Sequence, residues 1–80
     1  MSSEKSKADK ILAALGGAAN IRVVEPCITR LRVEVEDPTV VGEDQLKENG
    51  AFGVVRTGRV VQIVVGPVAD ELAAEIDELL

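Results

Sequence analysis

Residues 29–36 alternate without a break: Leu31, Val33 and Val35 fall on one side, and Arg30, Arg32 and Glu34 on the other. This period of two fixes an extended strand with one face in a core and one face in water. Antiparallel sheets covered on a single side show this pattern, whereas strands buried on both faces read as continuous apolar runs. With 80 residues to work with, the chain makes one domain with a thin core, burying roughly 60–65% of its unfolded surface.

The remaining segments supply partners for that strand and a cover for its apolar side. Ala8, Ile11, Leu12 and Leu15 have helical spacing, predicting a helix from Ser6 to Leu15 with a Ser6–Asp9 cap and a stop at Gly16-Gly17. Ile21–Val24 reads as a strand. Pro26 lacks a donor, so Glu25-Pro26-Cys27-Ile28 is expected to bend away from the ladder. Asp37-Pro38 closes the alternating strand, and Glu43–Asn49 reads as a short helix stopped by Gly50. Phe52–Arg56 and Val60–Val65 flank a glycine turn at Thr57-Gly58-Arg59. Gly66-Pro67 opens a last helix striped by Val68, Leu72, Ile76 and Leu79. The expected fold is α+β in the order α-β-β-α-β-β-α: a four-stranded antiparallel sheet with three helices on one face. Residues 1–5 are expected to be a flexible N-terminus and residues 6–80 one domain.

Charge and composition exclude several functions. The formal net charge of −5 opposes binding to nucleic acid, and a single aromatic residue, Phe52, removes a base-stacking platform. No apolar run reaches the ~18 residues of a membrane span, so direct membrane insertion is not expected. The lone cysteine and the first ten polar residues suit a reducing, cytoplasmic setting. With one cysteine and no histidine, neither a structural zinc site nor a histidine-based catalytic device can be assembled, so no metal is expected. No Gly-Lys-Ser/Thr phosphate loop occurs, and no nucleotide or other cofactor is expected. The acidic end of the chain (Asp70, Glu71, Glu75, Asp77, Glu78) reads first as a solvated helix face.

Chemistry concentrates in Cys27-Ile28-Thr29-Arg30-Leu31-Arg32. A cysteine reacts as its thiolate, a form favoured by neighbouring arginine. Arg30 and Arg32 leave one strand face roughly 6.5–7 Å apart, and guanidinium forks suit phosphate oxygens. The Thr29 hydroxyl and the amides of Ile28, Thr29 and Arg30 can complete a phosphate cradle. The plainer reading is a packing cysteine followed by a solvent-facing Arg-x-Arg. On residue chemistry alone the two readings stand level. A cysteine-phosphatase loop fits poorly, because that family places five residues between cysteine and arginine, and four separate Cys27 from Arg32. Without a nucleotide site, a phosphoryl donor has to be another phosphorylated molecule.

The six-residue motif resembles the signature of the enzyme IIB domain in the glucose family of the bacterial sugar phosphotransferase system. The likeness runs from about residue 8 to 79, including Leu46–Gly53 and Val61–Gly66. The resemblance implies that Cys27 is a phosphocysteine, loaded from a phosphohistidine on a IIA partner and discharged to a sugar of the glucose or N-acetylglucosamine class held by a membrane IIC partner. It implies that Arg30 and Arg32 serve transfer to sugar, that Ile28, Thr29 and Arg30 hold phosphate, and that Gln62 lies near the site. Such a protein is cytoplasmic and meets the inner membrane face through IIC. The pair Glu25-Pro26 departs from the aspartate or small polar residue of other members, and Glu25 is a candidate for the acidic role. Extending from Met1 to Leu80, the chain reads as a free-standing subunit, with a domain excised from a longer protein as the alternative. The alternative is a non-catalytic interaction or regulatory module that keeps the same fold.

Overall fold

The computed structural model describes residues 3–80, with side chains from residue 7 onward. Its elements follow the predicted order: α1 (Ser3–Ala14), β1 (Ile21–Cys27), β2 (Arg30–Val35), α2 (Glu43–Glu48), β3 (Gly53–Thr57), β4 (Val60–Val64) and α3 (Ala69–Leu79), with short 3-10 turns before β1, α2 and α3. Of the N-terminal segment expected to be flexible, residues 1 and 2 lie outside the described residues. α1 is already helical at Ser3, so Ser6 stands within the helix and not at its cap. Its far end closes as expected at the glycine pair: the Gly17 N–H donates to the Leu12 carbonyl at 2.9 Å and Gly16 to Ala13 at 3.1 Å, the paired bonds of a Schellman cap.

The four strands form one antiparallel sheet in the order β1-β2-β4-β3. Two hairpins are thus joined through their second strands, leaving β1 and β3 at the edges. The helices lie on one face. Leu31, Val33, Val35, Val61 and Ile63 are buried beneath Ile11, Leu15, Leu46, Leu72 and Ile76. Alternation in β2 comes out as read, with Leu31, Val33 and Val35 inward and Arg30 and Arg32 exposed.

One expectation is corrected at the centre of the motif. Glu25, Pro26 and Cys27 do not bend away; they continue β1, pairing with Arg32, Leu31 and Arg30. The hairpin is closed by Ile28 and Thr29 alone. The closing pair of a two-residue hairpin is hydrogen-bonded, so the next pair, Pro26–Leu31, is not. The Pro26 nitrogen therefore faces the free edge, where no donor is needed. A second correction concerns the last helix: Gly66-Pro67-Val68 forms a 3-10 turn, and α3 proper begins at Ala69.

One buried polar side chain ties the loops under the sheet. The Asn20 amide donates to the carbonyls of Leu15 (2.7 Å) and Asp37 (3.0 Å), and its oxygen accepts from the Asp37 N–H (2.8 Å). This joins the loop after α1 to the end of β2.

Candidate active site

Strand register turns the uncovered face into rows of side chains. Directly paired residues share a face. One row is therefore Cys27, Arg30, Val64 and Gly53, and the next is Glu25, Arg32, Gln62 and Val55. Cys27 is exposed. Arg30 stands directly across from it, with backbones about 5.5 Å apart in such a pair.

The turn joining them is strained. Ile28 has φ 57°, the only positive φ among non-glycine residues described, a region that β-branched residues strongly avoid. The other hairpin uses the same first turn position for Gly58, at φ 60°. Ile28 also leaves its side chain 86% exposed. The turn is held from beneath: the Thr29 carbonyl accepts from the N–H groups of Val65 (2.9 Å) and Gly66 (3.0 Å). Gly66 takes φ 82°, and a Cβ there would approach the Phe52 ring to 3.3 Å. Among the described residues, the N–H groups of Ile28 and Thr29 donate to no protein acceptor. Both amides are therefore free of protein acceptors, whereas the Arg30 N–H, the third amide of the expected cradle, is taken up by the hydrogen-bonded closing pair with Cys27.

The two arginines do not converge. Arg30 Nη1 donates to Gln62 Oε1 on β4 at 3.3 Å. Arg32 Nη1 pairs with Glu25 Oε1 on β1 at 3.0 Å. The structure thus brings Cys27, Arg30, Arg32, Glu25 and Gln62 onto one face and shows which acceptor holds each guanidinium. Phe52, expected only to start a strand, lies outside β3 and is exposed beside Gly66, next to the Thr29 anchor. Its being the one aromatic residue of the chain marks it in the sequence but does not tell that it is exposed.

The family model for phosphotransferase system EIIB matches residues 9–41, a span that carries the second half of α1 and the whole Cys27 hairpin. The chain is 55% identical over 75 residues to the N-acetylglucosamine-specific EIIB component of Streptomyces coelicolor, covering 94% of this chain and 97% of that protein. The chain belongs to the EIIB family. As an EIIB component it is a phosphotransferase of a sugar transport system. It is also 42% identical over 71 residues to the glucose-specific EIICBA component of Staphylococcus carnosus, covering 89% of this chain but 10% of that longer protein. In that relative, EIIB is fused to its IIC and IIA companions. Among solved structures, one domain of the PTS system IIabc component from Clostridium difficile superposes with a TM-score of 0.77 at 27% identity, covering 95% of this chain and 82% of that one. No helix among the described residues of this EIIB is long and apolar enough to cross a membrane.

Proposed function

We propose that Cys27 is the phosphoryl carrier of this EIIB, taking the group from a phosphohistidine on IIA and passing it to a sugar bound by IIC. The observation that carries the reading is an exposed thiol at a hairpin tip, directly across from Arg30 and beside two uncommitted amides. In the first step the sulfur attacks phosphorus; the S–P bond forms as the N–P bond breaks, and that electron pair stays on the imidazole nitrogen. In the second, a sugar hydroxyl oxygen attacks. The O–P bond forms, the S–P pair returns to sulfur, and the hydroxyl proton leaves to solvent. Arg30, the Thr29 hydroxyl and the Ile28 and Thr29 amides hold the charge that develops on the transferring group. Arg32 joins them once released from Glu25.

The sugar is of the N-acetylglucosamine or glucose class, and the higher identity to an N-acetylglucosamine-specific relative favours the former. The protein works in the cytoplasm and reaches the membrane through IIC. Incubation with phosphorylated IIA followed by mass spectrometry should place a single phosphate on Cys27, and Cys27→Ser should remain unlabelled with an unchanged circular dichroism spectrum. A Cys27→Ser variant that still takes phosphate at wild-type rate rules the assignment out.

A further inference from the structure

We propose that Glu25 is a latch on Arg32: its carboxylate holds the guanidinium in the phosphate-free protein and competes with the phosphoryl group for it, so that Glu25 sets how tightly phosphocysteine is retained. The inference rests on the carrier role of Cys27 given above.

The two arginines are restrained by unlike partners. Arg30 is held by the neutral amide oxygen of Gln62, so it keeps its full charge opposite the thiol. Arg32 is held by a carboxylate, which neutralises it until a stronger anion arrives. Glu25 is well placed for this competition. It sits directly across from Arg32 in the ladder, two residues before Cys27 on the same strand and the same face. The following Pro26 restricts Glu25 to extended backbone, which keeps the carboxylate in register without a partner strand on its outer side. The pair is also easy to release. Its side chains are 45% and 60% exposed, and an exposed ion pair contributes little. A phosphoryl dianion on Cys27 offers Arg32 a charge-assisted, bidentate alternative. Loading the thiol is therefore expected to swing Arg32 from Glu25 toward sulfur, and discharge to return it. Glu25 is a positioning residue in this scheme, acting on phosphate only through Arg32.

The test is the equilibrium of phosphoryl exchange between phosphorylated IIA and this protein, read by phosphorus NMR. Glu25→Gln is expected to raise the ratio of phosphorylated EIIB to phosphorylated IIA by about two- to fivefold, the range an exposed ion pair is worth. Glu25→Asp should return it toward the wild-type ratio. In an Arg32→Ala background, Glu25→Gln should change nothing. The same shift with Arg32 absent would mean plain repulsion between Glu25 and phosphate, and would overturn the latch. So would an unchanged ratio in Glu25→Gln while Cys27 still takes phosphate. Failure of wild-type Cys27 to take phosphate at all would instead strike the carrier reading, and the latch with it. An independent readout is the Arg32 Nε resonance of the wild-type protein, which should move on phosphorylation; a resonance that stays in place overturns the proposal without any variant.

Discussion

Replacing Ile28 with glycine should make this protein more stable while removing a side chain from its candidate site. Ile28 holds φ 57° at the first position of a two-residue turn, a conformation that costs an L-residue about 1–2 kcal/mol. Glycine relieves that strain but loses about 0.5–1 kcal/mol more backbone entropy on folding. The side chain is 86% exposed, so little burial is forfeited. The balance is a net gain of about 0.5–1 kcal/mol, or roughly 2–8 °C in melting temperature for a domain of this size. The second hairpin provides the mirror experiment. Gly58 occupies the matching position at φ 60°, and a Cβ there meets no atom within 4 Å. Gly58→Ile therefore reverses the same balance of strain and backbone entropy and should lower stability by a similar amount. Thermal denaturation of both variants, with urea titration to check that the slope is unchanged, decides the matter. Opposite shifts support strain at the Cys27 turn. If both variants move the same way, or Ile28→Gly melts below the wild type, the reasoning fails. Strain retained at such a position suits a functional turn, and the rate of phosphoryl acceptance should fall in Ile28→Gly even as the melting point rises.

Other outcomes follow from the same geometry. Arg30→Ala and Arg32→Ala should impair transfer to sugar more than receipt from IIA, measured as separate half-reactions; equal losses in both would contradict the roles given to them. Asn20→Ala should destabilise by about 2–3 kcal/mol in urea, because it orphans the Asp37 N–H and the Leu15 carbonyl at a buried site; a loss under about 0.5 kcal/mol would mean that water replaces the side chain. The Asp37 carboxyl is held below its ordinary pKa by the Thr39 hydroxyl first and the Thr39 amide second. A carboxyl lowered by folding adds stability above its unfolded pKa and loses it as pH falls through the folded value. Thr39→Val should thus flatten the decline in stability below about pH 4, as followed by urea midpoints; an unchanged acid limb would refute the linkage.

Much of the fold was legible because its signals are local. The apolar stripe of α3 needs no help from distant strands: Leu72 and Ile76 are spaced for one helix face, and both are buried. Pro26 misled for the opposite reason. Whether a proline breaks a strand or sits within it depends on whether its nitrogen meets a neighbour, and only the sheet order shows that β1 is an edge. Phe52 shows the same limit, since an aromatic residue left exposed on a folded chain cannot be told from a buried one by spacing.

The sequence by itself determined the element order, the one-sided sheet, and the grouping of Cys27, Arg30 and Arg32 in a single hairpin, because each depends on spacing within a few residues. Only the tertiary structure decided that Arg30 faces Cys27, that Glu25 faces Arg32, and that Gln62, 32 positions away from Arg30, supplies its acceptor. Those pairings are set by turn length and by the joining of β2 to β4, and a slip of one residue in either would send the same side chains to the opposite face.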